Sequence, residues 1–349
     1  MKIVNIMSSK ALGGSEQAFL NYNNALSLGK HEVFAIFNKN GKIKDKLDKL
    51  KNVKYLPLIF FKPYILLFPY FYFKIKKIKP DVIIIQTRKI LSLFGRIGKI
   101  LNIPVIFVSH ANKTKLLNKA DYIFSLAQYQ KDFFVKNGFE EDKIFVISNL
   151  INERVKFKEF EDFSNTPIFG VMGRFEASKG LDILIEACKI LKDKGKKFKV
   201  KIGGFAQKQY LDEYYKIIQL IEEYKLKDDI ELLGWIDNKK EFYDAIDVFV
   251  LPSINESFGI VLLEAMMYSK PIISSLAEGP SEIFEDSKNS FTFPIKDYKK
   301  LAELMMKVLD NRELVKKSVK ENYDLVNKKY ILEEVSKDIN DALLICCER

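Results

Sequence analysis

Short runs of β-branched and aromatic residues alternate along the chain with longer stretches whose apolar positions recur at helical spacing. That alternation is the pattern of parallel sheets covered by helices. In the first half it predicts strands at 2–7, 32–37, 81–86, 104–109, 122–126 and 144–148, with helices such as 15–28 and 89–101 between them. In the second half it predicts strands at 167–172, 199–203, 230–234, 247–251 and 271–274, and helices at 179–194, 207–225, 257–268 and 297–310. The runs DVIIIQ and PVIFVS are apolar without alternation, which suits strands buried on both faces. Residues 150–166 are polar and aperiodic and end at Pro167, so a domain boundary is expected there. Two helices with charged faces close the chain. The expected fold class is α/β, with two doubly wound domains facing across a cleft. Ligands of such sheets sit at the carboxyl ends of the strands, so the segments that follow strands carry the functional reading.

Composition narrows this picture. A chain of 349 residues, 48% hydrophobic and 30% charged, is that of a folded protein of about two domains. Three cysteines, Cys188, Cys346 and Cys347, offer neither a disulfide framework nor a metal spacing. With only His31 and His110 as histidines, and neither DxD nor HExxH, no metal site and no cofactor are expected. Met1–Met7 is too short for a signal-peptide core, and no apolar run reaches the roughly 18 residues of a spanning helix. The expectation is a soluble, cytoplasmic protein. The net charge of +11 is uneven: residues 1–160 hold 28 Lys+Arg against 12 Asp+Glu, and the remainder 29 against 34. A basic half beside a mildly acidic half points to one anionic partner, nucleic acid or a membrane surface. Recognisable RNA- and DNA-binding motifs are absent.

Four segments could carry chemistry. In PSINESFGIVLLEAMMYSKP, the helix expected from Ser257 is nearly all apolar, yet Glu264 sits within it, an expensive place for a carboxylate. Glu256, eight residues earlier, would lie about 12 Å along the axis and about 80° around it, so the pair could grip separated hydroxyl-bearing parts of one ligand. The amides of Phe258, Gly259 and Ile260 would open the helix towards a phosphate. The alternative is that Glu256 and Ser257 cap the helix and Glu264 pairs with a buried Lys or Arg. In GRFEASKG, Arg174 and Lys179 flank a turn after a strand, where two cations could neutralise a departing diphosphate. The alternative is a solvated turn, although a Lys near a helix start opposes the helix dipole. In KALGGSE, Gly13-Gly14 before a helix allows phosphate approach but lacks the dinucleotide-fingerprint spacing. His110 ends the strand PVIFVSH, as a substrate contact or as a structural histidine. A fifth stretch, Ile59–Phe73 followed by KIKKIK, is aromatic, apolar and flanked by lysines. It suits a membrane interface, or else a buried helix-loop, with Pro63 and Pro69 expected to break it.

Taken in order, GRFEASKG, Gly203-Gly204, LGWI at Leu233–Ile236 and ESFGIVLLE resemble the donor-binding domain of retaining GT-B glycosyltransferases of family four, the glycosyl transferases group 1. GGSE and the strand-end His110 resemble the matching parts of the family's acceptor domain. The resemblance implies two Rossmann-like domains, an acceptor-binding domain over 1–160 and a nucleotide-sugar donor-binding domain over 161–330. A C-terminal helix at 331–349 would cross back to the first. It implies that Arg174, Lys179, Gly14 and the amides of Phe258, Gly259 and Ile260 hold the donor diphosphate. Glu256 would meet hydroxyls of the transferred sugar, Glu264 the ribose, and Trp235 and Ile236 the base. His110 would lie beside the sugar and acceptor. The loop Glu278-Gly279-Pro280 with Glu282 resembles the family's glycine-rich loop, and Asn289-Ser290 stands where Asn-Gly is more usual. The implied chemistry is metal-independent, with retained anomeric configuration and no protein nucleophile. A basic, aromatic first domain implies a lipid-linked or membrane-embedded saccharide acceptor in lipopolysaccharide or other envelope-glycan synthesis. The protein would then be peripheral on the inner face of the plasma membrane, with UDP-sugars favoured as donor. Two competing readings are a sugar-nucleotide epimerase of the same fold, which should carry extra acid/base residues, and a non-catalytic membrane-binding protein, which leaves Glu256 and Glu264 unexplained.

Overall fold

A computed structural model describes residues 1–206, 210–285, 287 and 291–348. The expected start of a helix at 207 and the turn Asn289-Ser290 lie outside the described residues. The chain forms two compact units, one of Met1–Asn152 with Lys329–Arg349, the other of Glu153–Lys328.

The first unit contains β1 (Lys2–Met7), α1 (Gly14–Leu28), β2 (Glu32–Asn38), β3 (Val53–Leu58), α2 (Phe68–Ile78), β4 (Val82–Ile85), α3 (Leu91–Leu101), β5 (Val105–Ser109), β6 (Tyr122–Ser125), α4 (Gln128–Lys136) and β7 (Ile144–Val146). The strands form a parallel sheet in the order β3-β2-β1-β4-β5-β6-β7. Sequence pattern alone misses β3, because Pro57 interrupts its apolar run. The strand lies at the sheet edge, where a missing N–H breaks no inner ladder. Nor do the prolines of the aromatic stretch prevent a helix. Pro69 sits in the first turn of α2, where its absent N–H has no intrahelical acceptor to lose. Phe71 and Ile75, four residues apart, turn inward from α2 onto a core that includes Phe60, Phe94 and Ile97.

The second unit contains β8 (Ile168–Met172), α5 (Leu181–Asp193), β9 (Lys199–Gly203), α6 (Leu211–Glu223), β10 (Ile230–Gly234), α7 (Lys239–Asp244), β11 (Val248–Leu251), α8 (Ile260–Met267), β12 (Ile272–Ser275), α9 (Glu278–Glu285), β13 (Phe291–Phe293), α10 (Tyr298–Asp310) and most of α11 (Arg312–Lys329). Its parallel sheet runs β10-β9-β8-β11-β12-β13. Both sheets thus reverse their strand order once, between β1 and β4 in the first and between β8 and β11 in the second. Doubly wound sheets open their ligand crevice at such a reversal. Phe169, Val171 and Val250 meet Leu184, Cys188, Leu301 and Met305 in the second core.

The last helix, α12 (Leu332–Cys347), belongs to the first unit. Its buried positions Val335, Ile339, Ala342, Leu343 and Cys346 recur at helical spacing. It packs on α1, where Ser336 Oγ donates to the Ala25 carbonyl at 2.8 Å and Asn340 Oδ1 lies 2.7 Å from His31 Nε2. The units divide at Asn152, earlier than the boundary at 160, because Phe157, Phe160 and Phe163 pack on the second core. Among the described residues no helix is long and apolar enough to cross a membrane. Leu343 is fully buried. Leu343→Ala should therefore cost about 3 kcal/mol through lost transfer energy and a residual cavity, read as a lower urea midpoint.

Candidate functional site

In the second unit the segments after β8, β9, β11 and β12 meet at the carboxyl edge of the sheet. The Gly173 N–H donates to the Gly203 carbonyl at 2.9 Å, and the Gly204 N–H to the Gly234 carbonyl at 2.7 Å. Gly204 has φ +147°, and a Cβ there would lie 1.7 Å from the Gly173 oxygen, so only glycine admits this approach. After β8 the chain turns through a short 3₁₀ segment, Ala177–Lys179, to Gly180 at φ +63°. A Cβ on Gly180 would lie 2.1 Å from the Pro252 oxygen, which brings the segment after β11 directly alongside. The contact is fastened by one carbonyl: Ser178 O accepts from Ile254 N–H at 2.8 Å and Asn255 N–H at 3.1 Å.

That fastening seats Lys179 beside Glu256, with Nζ 2.7 Å from Oε2 and both side chains largely buried. Glu256 is held in turn by its own carbonyl, which accepts from the Gly279 N–H at 3.0 Å. Arg174 pairs with Glu176 at 3.0 Å and its guanidinium lies over the Tyr210 ring. Neither Glu256 nor Ser257 caps α8. The helix begins at Ile260, its N-cap is Gly259 in the left-handed region, and no side chain caps it. Glu256 therefore lies outside the helix, and the 12 Å, 80° relation expected for the two carboxylates does not hold. In the first turn the Leu262 and Leu263 N–H groups donate to the Gly259 carbonyl at 2.9 and 3.4 Å, which leaves those of Ile260 and Val261 without an intrahelical acceptor. Phe258 lies before the cap and is buried. Glu278-Gly279-Pro280 is the first turn of α9 and not a loop.

Glu264 lies within α8 and is only 6% exposed. It is compensated by Lys239 Nζ at 2.5 Å and by the Tyr243 hydroxyl at 3.4 Å. Burial and the adjacent Glu264 charge push the Tyr243 hydroxyl well above its ordinary pKa, so it stays a donor. Trp235 is 43% exposed, edge-on to Phe205, with its indole N–H on Asp237 at 3.1 Å. Ile236 packs against Gly203. Lys239 is the residue of this site that sequence reading missed; a lysine in a polar turn carries no signal until the fold closes it over Glu264.

In the first unit Gly13 is the N-cap of α1 in extended conformation, and Gly14 opens the helix with free space about its Cα. His110 follows β5, and its Nε2 lies 2.9 Å from Gln86 Oε1. Burial pulls the imidazole pKa from 6.5 down to about 4. Gln86, at the end of β4, and Asn5, inside β1, also went unnoticed, although polar residues inside apolar strand runs were the available signal. Among the described residues no three His, Cys, Asp or Glu side chains gather as a metal-ligand group.

Against known proteins, residues 152–324 match the family model for glycosyl transferases group 1, and residues 12–155 that for glycosyltransferase family 4. This chain belongs to the glycosyltransferase group 1 family. An uncharacterized glycosyltransferase of Methanocaldococcus jannaschii, MJ1178, is 30% identical over 252 residues, 67% of this chain and 66% of the relative. The putative colanic acid biosynthesis glycosyltransferase WcaL of Escherichia coli is 33% identical over 153 residues, 41% of this chain and 36% of its own. The chain thus spans less than two thirds of the length of these curated relatives. The Anabaena protein HepE, crystallised with UDP-glucose, superposes with a TM-score of 0.85 at 18% identity, over 99% of this chain and 100% of that one. The fold is the GT-B fold of glycosyltransferases, two parallel-sheet Rossmann-like domains of seven and six strands.

A depressed folded-state pKa at His110 sets a pH signature for this family member. Between pH 6.5 and about 4 the unfolded chain binds a proton that the folded ring refuses, so that part of the stability is present above 6.5 and lost as pH falls to about 4. In urea titrations across this range, His110→Asn should lose less stability on acidification than the wild type.

Proposed function

We propose that the chain is a retaining glycosyltransferase. It moves a hexose or N-acetylhexosamine from a nucleotide-diphosphate sugar, a UDP-sugar by preference, to a membrane-associated glycan or glycolipid of the cell envelope, as in lipopolysaccharide synthesis. The observation that carries this reading is the Lys179–Glu256 pair beside the uncapped start of α8. A cation and helix-start N–H groups suit a diphosphate, and a carboxylate next to them suits the hydroxyls of the sugar attached to it. The UDP-glucose held by HepE and the colanic acid assignment of WcaL support the donor and envelope classes.

In this reading Lys179, Arg174, Gly14 and the amides of Gly259 and Ile260, with Phe258 beside them, receive the diphosphate. Their positive charge stabilises the negative charge that builds on the leaving phosphate as the glycosidic bond breaks. Arg174 exchanges Glu176 for phosphate oxygens. Glu256 accepts hydrogen bonds from sugar hydroxyls, Glu264 from the ribose, and Trp235 with Ile236 borders the base. His110 meets the transferred sugar. The acceptor hydroxyl gives up its proton to the departing phosphate oxygen and bonds the anomeric carbon on the face the phosphate leaves, so the configuration is kept. No cofactor takes part.

The first unit's surface supports a membrane-borne acceptor. Leu66, Tyr70 and Phe73 form an outward apolar stripe, each at least half exposed. Ile59, Phe61 and Ile65 extend it, and Lys62, Lys76, Lys77 and Lys79 surround it in the open. Such a face suits an anionic lipid interface, the inner surface of the plasma membrane.

Two measurements test the reading. Nucleoside diphosphate release from a panel of UDP-, GDP- and ADP-sugars should require added membrane lipid extract and occur with one donor. It should fall roughly 100-fold or more in Glu256→Ala; release from no donor despite tight nucleotide binding would favour the epimerase or a pure binder. Reversing Lys74, Lys76, Lys77 and Lys79 to Glu should weaken sedimentation with anionic vesicles, and unchanged binding would remove the membrane from the proposal.

A further inference from the structure

A string of buried amides runs through the first unit to His110. Asn23 on α1 and Asn5 on β1 are fully buried, and Gln86 at the end of β4 is 3% exposed. Asn5 Nδ2 donates to Asn23 Oδ1 at 2.9 Å, Gln86 Nε2 reaches Asn5 Oδ1 at 3.4 Å, and Gln86 Oε1 lies 2.9 Å from His110 Nε2. Apolar side chains could fill this space without the desolvation cost that buried amides carry. The string also leaves its far end unmatched, since Asn23 Nδ2 has no partner. Gln86 itself cannot drift, because its backbone N–H donates to the Ile6 carbonyl at 2.9 Å and extends the β1–β4 ladder.

The string has a direction. Asn5 turns its Oδ1 towards Gln86, and an amide oxygen only accepts, so Gln86 donates to it through Nε2. That leaves the Gln86 oxygen for His110, and an amide oxygen can only accept. Nε2 of His110 therefore carries the hydrogen. In a neutral ring the other nitrogen, Nδ1, is then a bare lone pair, and it has no partner among the described residues. We infer that Gln86 is a positioning residue: it fixes the proton of His110 on Nε2, sets the plane of the ring, and leaves Nδ1 as an acceptor for one hydroxyl of the transferred sugar. The last clause rests on the reading of His110 as a sugar contact; the placement of the proton does not. Asn5 and Asn23 act one and two steps further back by setting the polarity that Gln86 transmits.

Only two histidines exist in the chain, so ¹⁵N imidazole spectra of the full-length protein contain two rings, and His31→Asn leaves His110 alone. At pH 7 the wild-type His110 should show a protonated Nε2 and a bare Nδ1. In Gln86→Leu the two nitrogens should move towards a tautomer average, and kcat should fall roughly tenfold or more, with donor KM within about twofold. Gln86→Glu, whose carboxylate also accepts, should restore the protonated Nε2 signature and most of kcat. A wild-type ring protonated on Nδ1 overturns the inference whatever the variants do. So does a Gln86→Leu protein whose His110 spectrum and kcat match the wild type. Absence of transfer by the wild type would strike the donor reading alone, and the spectra would still decide where the proton sits.

Discussion

One carbonyl oxygen organises the second unit's edge. Ser178 O takes two consecutive N–H groups, those of Ile254 and Asn255, and so locks the turn after β8 to the turn after β11. Everything chemical nearby inherits its position from that lock. Lys179 is the next residue after the carbonyl, and Glu256 the next after the second N–H, so their side chains emerge together and meet at 2.7 Å. Two partly desolvated charges in contact are costly to separate from each other without a substitute. Under the proposed function, a diphosphate bearing a hydroxyl-rich sugar would supply a substitute for both at once. The glycines at 180 and 204 matter for the same reason, since any larger residue would hold these turns apart.

Most of the fold could be read from the chain. Apolar runs without alternation, such as DVIIIQ and PVIFVS, gave central parallel strands because no other element buries both faces of so short a segment. One edge of each sheet was harder. β3 contains Pro57 and β13 spans only Phe291–Phe293, so tertiary pairing and not local pattern makes them strands. Helix α8 was legible in kind but not in its start. Ser257 and Phe258 continue the apolar period of the helix, yet the packing of Gly279 against the Phe258 backbone pulls them out of it. Spacing along a sequence therefore misplaced Glu256 relative to Glu264.

The two buried polar arrangements solve different problems. Glu264 is a charge inside an apolar helix, and Lys239 with Tyr243 offsets it from a separate helix, α7. Neither partner stands near it in sequence, so a Lys or Arg partner could be expected but not named before folding. The amides of the first unit carry no charge, and their three links span α1, β1, β4 and the turn after β5. They bury polarity without an electrostatic return, and what they confer is orientation. An Asn in the middle of an apolar strand was the visible trace of it.

The return of α12 to α1 also sets an order on biogenesis. The Ser336–Ala25 hydrogen bond joins residues 311 apart in sequence, so α1 does not receive its cover until α12 has been made. The second unit lies between, contiguous from Glu153 to Lys328, and can fold while the apolar flank of α1 is still waiting for its cover. Chain closure over such a span is slow relative to local helix formation. During synthesis the flank of α1 that α12 covers therefore stays exposed until α12 arrives.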